Sequence, residues 1–318
     1  MVTRIPALRF LILLLPLLAL ALSSCDNTSG PRFEGEVFTV AGLLMAGQPI
    51  NFNYPVYVTR SSAIEDFDPL EVFVYDATIN IRDLDAGLSF QLTPVLHAFK
   101  FKYIDLAQNT IQPEHRYRIE VKVPGVDSLI WAETTVPPLL TAEPDPYGTN
   151  PPGSGYSLDP DTQNVLPFQR IDSDYPAIAN TGTASGNFFL MAETFCLEPF
   201  STDLEYTSEF LPTAHPDSSL AEGYNAGRPP RRLSLMYRFL SAPLPGLPDN
   251  YLVLENYSTA FVFYGRYRLR LQVVDTNYFN YNFMVEGYLQ GGIHNALGYF
   301  GSASGANMYA RIVKEDAT

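Results

Sequence analysis

The sequence predicts a mainly β protein: an N-terminal immunoglobulin-like or transthyretin-like β-sandwich, then a second β-rich domain with one short helix. Short segments of alternating hydrophobicity recur between turn residues from 35 to 137. In residues 116–123 every second residue is apolar, and the residues between them are all charged. This period of two, with one polar face, is what an antiparallel sheet packed on one side requires.

The first domain, residues 35–137, is predicted to contain seven strands. Short strands at nearly regular spacing over roughly 100 residues are typical of a β-sandwich. The predicted strands are 35–41, 55–60, 70–82, 89–92, 98–105, 116–123 and 128–136.

A segment rich in proline, glycine and aspartate, residues 138–166, marks the predicted boundary between the domains. It has no sustained apolar period, which is typical of a linker. The second domain, 167–318, contains a long polar connection at 201–230, a length that is usually functional or mobile. Its predicted strands are 167–172, 187–197, 231–239, 251–254, 261–275 and, after a glycine-rich turn, 307–313.

One segment of the second domain has helical periodicity. Thr276 is a suitable N-cap for a helix over 277–289, and the glycines at 291 and 292 provide its C-terminal stop. We expect the apolar side of this helix to pack on the second sheet as core. That side consists of Tyr278, Tyr281, Val285 and Tyr288.

The first 24 residues have the features of a secretory signal. Two arginines, Arg4 and Arg9, precede an apolar run over 10–22 that contains a proline and is too short to span a bilayer. The tetrad Leu-Ser-Ser-Cys at 22–25 matches the bacterial lipobox, which implies cleavage before Cys25 and acylation of that cysteine. The prediction is therefore an envelope protein held on a membrane by acyl chains at Cys25, with residues 25–34 as a tether.

The charge balance limits the partners of the mature chain. The full sequence has 20 basic and 34 acidic residues, and removal of the signal brings the net charge to about −16. Nucleic acid requires a basic face, so no nucleic-acid partner is expected. Anionic lipid is not expected to attract the chain directly either, so the acyl chains must supply the membrane attachment.

Lipidation leaves one further cysteine, so no disulfide is expected. Cys196 lies in an apolar run, where a buried free thiol behaves as a small hydrophobic residue. A nucleophilic cysteine would need a nearby histidine, and no spacing nominates one. With 46% hydrophobic residues, the chain can bury a core large enough to be stable without disulfides.

Three stretches share an order of features with one known family. The first, 33–64, has an opening strand, a turn and the approach Gly-Gln-Pro-Ile…Val-Thr-Arg-Ser. The second joins 76–84 to 111–137, which contains Pro-x-x-x-Tyr-x-Ile-x-Val and Ala-x-Thr-x-Val-Pro. The third, 268–305, has a strand, a tyrosine-containing helix and the turn Asn-Ala-Leu-Gly-Tyr-Phe-Gly. In these features the chain resembles the Bacteroidota lipoproteins of domain-of-unknown-function family 4249.

The resemblance implies a two-part, β-rich envelope lipoprotein with a proposed association with outer-membrane TonB-dependent transporters. The family has no established activity, so it supplies no catalytic residue. In enterobacteria, an aspartate directly after the lipidated cysteine, the position of Asp26 here, retains lipoproteins in the inner membrane. The resembled lineage sorts by other rules, so the outer membrane is favoured, on either its periplasmic or its surface face.

Three acidic turns are candidate calcium sites. A calcium loop needs more oxygen ligands than any of them offers, and a bidentate acid at its end. Aspartate is also a common turn former, so no metal site is expected. The turns contain Asp83 and Asp85, Asp159, Asp161 and Asn164, and Glu65, Asp66 and Asp68.

No catalytic motif is recognised, and no cofactor is expected. The sequence lacks the Gly-x-Ser-x-Gly elbow and the His-Glu-x-x-His helix. The glycine-rich residues 301–306 do not lead from a strand into a helix, as a phosphate loop does. His294 lies in a turn of interest, and a hydrogen-bonded structural role is expected for it.

The favoured function is that of a non-enzymatic binding or accessory lipoprotein that meets an outer-membrane transporter or an extracellular ligand. Two alternatives stay open: a glycan-active envelope enzyme with acids at its loop tips, and an adhesin or fibre subunit that assembles through an open sheet edge. The sequence does not identify the ligand-binding residues. Candidate contacts are loop tyrosines, because tyrosine suits partly wet interfaces: Tyr147, Tyr156 and Tyr224.

Overall fold

The computed structural model describes most of the chain between residues 36 and 314. The signal, Cys25 and the predicted tether lie outside the described residues, as does most of the polar connection 201–230. The described residues are 36–62, 68, 70–162, 164–180, 189–198, 204–208, 231–237, 246, 251–254 and 256–314.

Strands dominate the described residues, which confirms the mainly β class. The strands are β1 Phe38–Met45, β2 Tyr57–Arg60, β3 Thr78–Asp83, β4 Leu88–His97, β5 Lys100–Ile104, β6 Arg116–Lys122, β7 Ile130–Thr135, β8 Thr141–Ala142, β9 Val165–Pro167, β10 Ala177–Asn180, β11 Phe189–Cys196, β12 Arg231–Tyr237, β13 Tyr251–Leu254, β14 Gly265–Val274 and β15 Leu297–Val313.

Among the described residues, the helices are short and lie in the second half of the chain. In the part that the structure describes, no helix has the length and apolar character needed to cross a membrane. The helices are α1 Ile171–Asp174, α2 Thr276–Phe283, and the 3-10 turns Phe168–Arg170, Ser258–Ala260 and Gly287–Leu289.

The described strands form three sheets. A five-stranded antiparallel sheet has the order β5-β4-β3-β6-β7, and a three-stranded sheet has the order β13-β10-β8. The largest sheet has the order β12-β11-β14-β15-β1-β2, with β9 also paired to β15. The predicted alternation is confirmed in β6, where Tyr117, Ile119 and Val121 are buried between partly or fully exposed neighbours.

Pairing between β1 and β15 brings the start and the end of the described chain into one sheet. These two strands are parallel, with Thr39 opposite Leu297 and Met45 opposite Ala303. Strands from both sides of residues 138–166 therefore share a sheet. The division into domains at 138–166 stays a prediction, and any such division has to accommodate this pairing.

Two large hydrophobic clusters fill the space between the sheets. The first joins the five-stranded sheet to β1, β2 and Phe300 of β15. The second lies between β11, β14 and β15 on one side and the three-stranded sheet on the other. Residues 138–166 contribute four buried side chains to the second cluster, so this segment is packed against it: Leu140, Ala142, Tyr156 and Leu166.

The prediction of a glycine-rich turn before the last strand is wrong. Residues 297–306 belong to β15, a 17-residue strand that pairs with β1 along its first half and with β14 along its second. At Gly301, in this strand, close packing requires glycine. A Cβ on Gly301 would lie 2.7 Å from the Cβ of Tyr278 and 2.8 Å from Oδ1 of Asp275.

Two predicted strands are also wrong in part, one beside a local turn and one where a long-range contact forms. Of the predicted strand 70–82, only Thr78–Asp83 forms, and Asp68 Oδ1 accepts a hydrogen bond from the amide of Leu70 in a turn. The predicted strand 167–172 is helical from Phe168. There the carboxylate of Asp172 accepts bonds from the amides of Tyr257 and Ser258, at 2.8 and 3.0 Å.

The predicted helix exists but differs from the prediction at both ends. It spans Thr276–Phe283, and its N-cap is Asp275, whose side chain accepts a bond from the amide of Tyr278. The prediction that its apolar side packs on the sheet as core is confirmed only in part, since Tyr278 packs against a small buried cluster of the largest sheet. No residue of α2 is buried; Tyr278 and Tyr281 are half-buried, and beyond the helix Val285 and Tyr288 are exposed.

Replacement of Gly301 by alanine tests the close approach of α2 to β15. We expect the free energy of unfolding to fall by about 1–3 kcal/mol, because the new methyl group overlaps Tyr278 and Asp275. The matched control is Gly305→Ala, where the nearest atom would lie at 3.1 Å and the residue is exposed. Urea denaturation of both variants measures the difference, and equal losses would contradict the packing argument.

Candidate functional site

The outer face of the largest sheet carries polar residues on an otherwise apolar strand. In β14, Tyr267, Leu269, Leu271 and Val273 belong to the second hydrophobic cluster. The alternate residues therefore face the other side, because successive side chains in a strand point in opposite directions. On that side lie Arg266, Arg268, Arg270 and Gln272.

Two segments cover part of this face. One is the turn before β2, where Asn51 Oδ1 accepts bonds from the amides of Asn53 and Tyr54 at 2.9 and 3.4 Å. The other is α2, whose Tyr278 and Tyr281 rings lie 5.2 and 4.4 Å from the ring of Tyr299. The turn and the helix leave a gap between them over β14.

This gap is a pocket of about 280 Å³, called here the Arg270 pocket. Its floor is formed by β1, β11 and β14, and its walls by the turn before β2 and by α2. It is lined by Leu43, Phe52, Asn53, Tyr54, Pro55, Tyr57, Lys102, Glu193, Arg270, Gln272, Tyr278 and Tyr299.

The floor of the pocket holds a buried acid and amide. Glu193 and Gln272 are 4% and 2% exposed, and Gln272 Nε2 donates a hydrogen bond to Glu193 Oε2 at 3.0 Å. Arg270 lies directly opposite Glu193 in the register of β11 and β14. A carboxylate that is buried but bonded, with a guanidinium on the neighbouring strand, is a stable arrangement for a charge away from water.

The two cations of the pocket lie against aromatic rings. Arg270 donates to the hydroxyl of Tyr54, and its guanidinium carbon lies 5.4 Å from the centre of that ring. Lys102 Nζ donates to the carbonyl of Phe52 at 3.1 Å and lies 5.9 Å from the Phe52 ring. These contacts hold both cations in place beside the pocket.

The aromatic groups of the pocket supply apolar surface. Burial raises the pKa of the Tyr57 phenol, so this side chain remains neutral and can donate a hydrogen bond at physiological pH. Together, the tyrosines, Asn53 and Gln272 offer donors and acceptors beside flat apolar faces. Such a combination can hold a small polar molecule that also has an apolar face.

A family model identifies the relatives of this chain. The model described as Domain of unknown function (DUF4249) matches residues 35–307. The chain belongs to this family. The match runs through the region between the three stretches that carry the sequence resemblance, and a search of the curated proteins finds no match. Because the DUF4249 description names no activity, the site must be interpreted from its own geometry.

The first acidic turn of this DUF4249 chain serves the fold. Asp83 Oδ1 accepts bonds from the amides of Asp85 and Ala86, and Asp83 Oδ2 lies 2.8 Å from Nδ1 of His115. Burial raises the pKa of Asp83, but these bonds outweigh it and hold that pKa below the ordinary value. Asp85 pairs with Arg116 at 3.0 Å.

In the second acidic turn, side-chain oxygen atoms also accept hydrogen bonds from within the turn. Asp159 Oδ1 accepts a bond from the amide of Asp161, and Asn164 Oδ1 accepts one from the hydroxyl of Thr162. Glu65 and Asp66 lie outside the described residues. Within the described parts of the chain, no three or more histidine, cysteine, aspartate or glutamate side chains form a group that could hold a metal ion.

Cys196 and His294 have the structural roles that the sequence predicts. Cys196 is a free thiol, 3% exposed, in the second hydrophobic cluster. The His294 ring stacks on Trp131 with centres 3.9 Å apart, and its amide donates to the Trp131 carbonyl at 2.8 Å. Neither residue lines the Arg270 pocket.

The loop tyrosines divide into different environments. Tyr147 is 47% exposed, as a contact residue would be. Tyr156 is not a surface contact: it is 5% exposed in the second cluster, and its hydroxyl lies 2.5 Å from that of Tyr257. Burial raises its pKa well above the ordinary value. Tyr224 lies outside the described residues.

No lining residue of the Arg270 pocket was nominated from the sequence as a site residue, and Tyr278 was predicted only as core. The sequence did contain one signal: arginines at 266, 268 and 270 alternate with apolar residues, and those apolar residues are buried. Arginine on a covered sheet face needs a partner, so this alternation indicates a site. The turn before β2 gives no comparable signal, because its approach to β14 is a long-range contact.

The buried carboxyl of Asp275, which caps α2 beside the pocket, predicts a pH dependence of stability. Burial raises its pKa to about 6, although bonds from Thr134, Tyr278 and Ser302 oppose the rise. A raised pKa means that the folded state binds the proton more tightly. The stabilisation is therefore complete below the ordinary aspartate pKa and is lost as pH rises through about 6.

The variant Asp275→Asn isolates this effect, because asparagine can still cap the helix but cannot ionise. Between pH 4 and 7.5 the wild-type free energy of unfolding should fall relative to that of the variant by roughly 3 kcal/mol at most, since one pKa unit corresponds to about 1.4 kcal/mol. Urea denaturation across this range measures it. Asp275→Ala serves as control and should be destabilised throughout, and parallel curves for wild type and Asp275→Asn would contradict the assignment.

Proposed function

We propose that this protein is a non-enzymatic lipoprotein of the bacterial envelope that binds a small polar ligand in the Arg270 pocket. The observation that supports this proposal is the pocket itself. It combines two cations, a buried carboxylate and an amide with several aromatic rings in one recess. Recesses in which a few fixed polar groups lie beside aromatic and apolar side chains are where proteins bind small molecules.

The size of the pocket limits the ligand. A volume of about 280 Å³ lies near the lower end of the usual range for ligand sites. A monosaccharide or an amino acid is of this size and presents both hydrogen-bonding groups and an apolar face. Arg270 and Lys102 would donate to its oxygens, and Glu193 would accept from a hydroxyl or an ammonium group.

The set of lining residues favours binding over glycoside hydrolysis. Glycosidases that use two carboxylates hold them about 5–10 Å apart across the scissile bond. Glu193 is the one carboxylate among the residues that line the pocket. It already accepts a bond from Gln272 and lies opposite Arg270, which suits a fixed acceptor better than an acid that must exchange protons.

The lipid anchor and the accessory role rest on the sequence and on the family. The lipobox at 22–25 supports acylation at Cys25. The resemblance to Bacteroidota lipoproteins supports an outer-membrane location and a place beside a TonB-dependent transporter. In that setting, a ligand held in the Arg270 pocket would be passed to the transporter.

The anchor is tested by the mass of the mature N-terminal peptide. We expect cleavage before Cys25, a peptide that carries acyl chains, and recovery of the protein in the outer-membrane fraction. Cys25→Ser should remove the acyl mass and release the protein from membranes. An unmodified cysteine in a membrane-free wild-type protein would contradict the proposal, and affinity purification from gently solubilised membranes identifies a transporter that co-elutes.

Ligand binding in the pocket is tested by thermal shift against a panel of monosaccharides and amino acids. A ligand at 100 times its Kd stabilises the folded state by about 2.7 kcal/mol, which raises Tm by several degrees. Arg270→Gln should weaken binding at least tenfold, because a pocket donor is lost. The control is Arg82→Gln, which alters an exposed cation paired with Glu120 on the five-stranded sheet.

Each outcome of this titration bears on the proposal. Saturable stabilisation that is lost in Arg270→Gln and retained in Arg82→Gln supports ligand binding in the pocket. Stabilisation that both variants lose, or that both retain, places the ligand elsewhere. Turnover of a bound saccharide would replace the non-enzymatic proposal by the glycan-active alternative.

A further inference from the structure

The segment after α2 presents an unusual amount of apolar surface to solvent. Five of the seven residues from 283 to 289 are large, apolar and exposed, and they are called here the apolar tip. Contiguous apolar surface of this kind marks contact sites for proteins or membranes. The exposed fractions are 41% for Phe283, 48% for Met284, 87% for Val285, 47% for Tyr288 and 56% for Leu289.

The backbone of the tip is held in this outward conformation. The amide of Met284 donates to the Asn280 carbonyl at 3.0 Å, which ends α2, and Glu286 then adopts a left-handed conformation with φ 55°. At Gly287, a Cβ would lie 2.2 Å from the carbonyl oxygen of Tyr281. This close contact folds the chain back on the helix and leaves the apolar side chains on the outside.

The tip lies at the end of the sheet where the described chain begins. Thr39 pairs with Leu297, so β1 and β15 start side by side. Helix α2 begins beside Ser302, whose carbonyl accepts a hydrogen bond from the amide of Asp275. Further along the helix, the ring of Tyr281 packs against that of Tyr299, which lies closer to the start of β15. The helix therefore runs toward the start of β15, and the tip continues beyond it.

The position of the tip relates it to the proposed lipid anchor. Residues 25–35 connect Cys25 to the start of the described chain, and at about 3.3–3.6 Å per residue they span at most about 40 Å. Val37, at the same end of β1, is also exposed. The tip therefore lies at the end of the molecule to which the tether is attached, within reach of a membrane that holds acyl chains at Cys25.

The amino-acid composition of the chain around the tip indicates which kind of membrane surface would bind it. Residues 276–296 contain no lysine or arginine, and Glu286 is the one acidic residue among them. Such a segment gains nothing from anionic headgroups, whereas its aromatic and aliphatic side chains suit the boundary between headgroups and acyl chains. A zwitterionic phospholipid surface therefore fits it best.

We propose that the apolar tip inserts into the interfacial region of the phospholipid membrane that carries the Cys25 anchor. This inference rests on the lipid anchor of the proposed function. Two attachments, one covalent and one through the tip, orient the molecule on the membrane where a tether alone would leave it free to rotate. Helix α2 then lies next to the bilayer, with the Arg270 pocket on its sheet-facing side.

The proposal is tested on the full lipoprotein reconstituted into phosphatidylcholine vesicles. A single cysteine at the tip, Val285→Cys, is labelled with a polarity-sensitive fluorophore, and the lipid carries a spin-label quencher. Cys25 is acylated and Cys196 is buried, so neither takes the label. The expected result is a blue-shifted emission and at least threefold stronger quenching than at a matched control position.

The control position is Leu88→Cys, an apolar residue that is 66% exposed, against 87% for Val285, and that lies away from the tip. Leu88 pairs with Asp83, which pairs with Tyr117, and this row continues to Thr134 at the end of β7. Strand β7 begins beside His294, near the tip. Thr134, near the other end of β7, bonds to Ser302 beside the start of α2, so the strand runs away from the tip.

The outcomes separate the tip from the anchor. Equal water exposure of the labels at 285 and 88, in protein that floats with the vesicles, overturns membrane insertion and leaves the anchor intact. Protein that does not float overturns the anchor. Protection of the label at 285 only when an outer-membrane transporter is added overturns membrane insertion in favour of a protein partner for the tip.

Discussion

The buried carboxylate of Asp275 connects the elements on which the rest of this structure depends. It accepts bonds from the hydroxyl of Thr134 in β7 at 2.6 Å and from the amides of Tyr278 and Ser302 at 3.0 and 3.1 Å. Ser302 also donates to the carbonyl of Thr135 at 2.7 Å. A buried polar group is costly unless it is bonded, so these segments must meet in one arrangement. That arrangement joins the five-stranded sheet to the largest sheet and fixes the start of α2.

The pocket and the apolar tip are both consequences of this junction. Because Asp275 caps α2 directly at the end of β14, the helix has to lie against β15, and Gly301 provides the space for it. The same placement sets Tyr278 at the pocket wall and carries the chain past Tyr299 toward the start of the sheet.

Strand prediction succeeded where alternation or a continuous apolar run marks the strand, as in β6 and β11, and failed in β15, whose centre consists of small residues. Strand β6 alternates because its outer face meets solvent, and the sequence shows this directly. Strand β15 contains Gly-Ser-Ala-Ser-Gly at its centre, a composition typical of a turn, yet it pairs with β1 and β14. Its small residues leave room for side chains that are distant in the chain, such as Tyr278 beside Gly301. The Arg270 pocket was missed for the same reason, because Tyr54 and Arg270 are brought together only by the folded sheet.

By itself, the sequence determined the β class, the approximate place of most strands, the helix that follows β14, the family and the buried free thiol. These follow from local periodicity, cap chemistry and residue type, which a short stretch of chain carries without its partners. Only the tertiary structure decided that the first and last strands share a sheet, that Asp275 caps the helix and that Tyr156 belongs to the core. The same holds for the pocket between the turn before β2 and α2. Each of these depends on which buried polar and apolar groups find one another across long separations in sequence, and local pattern does not encode that choice.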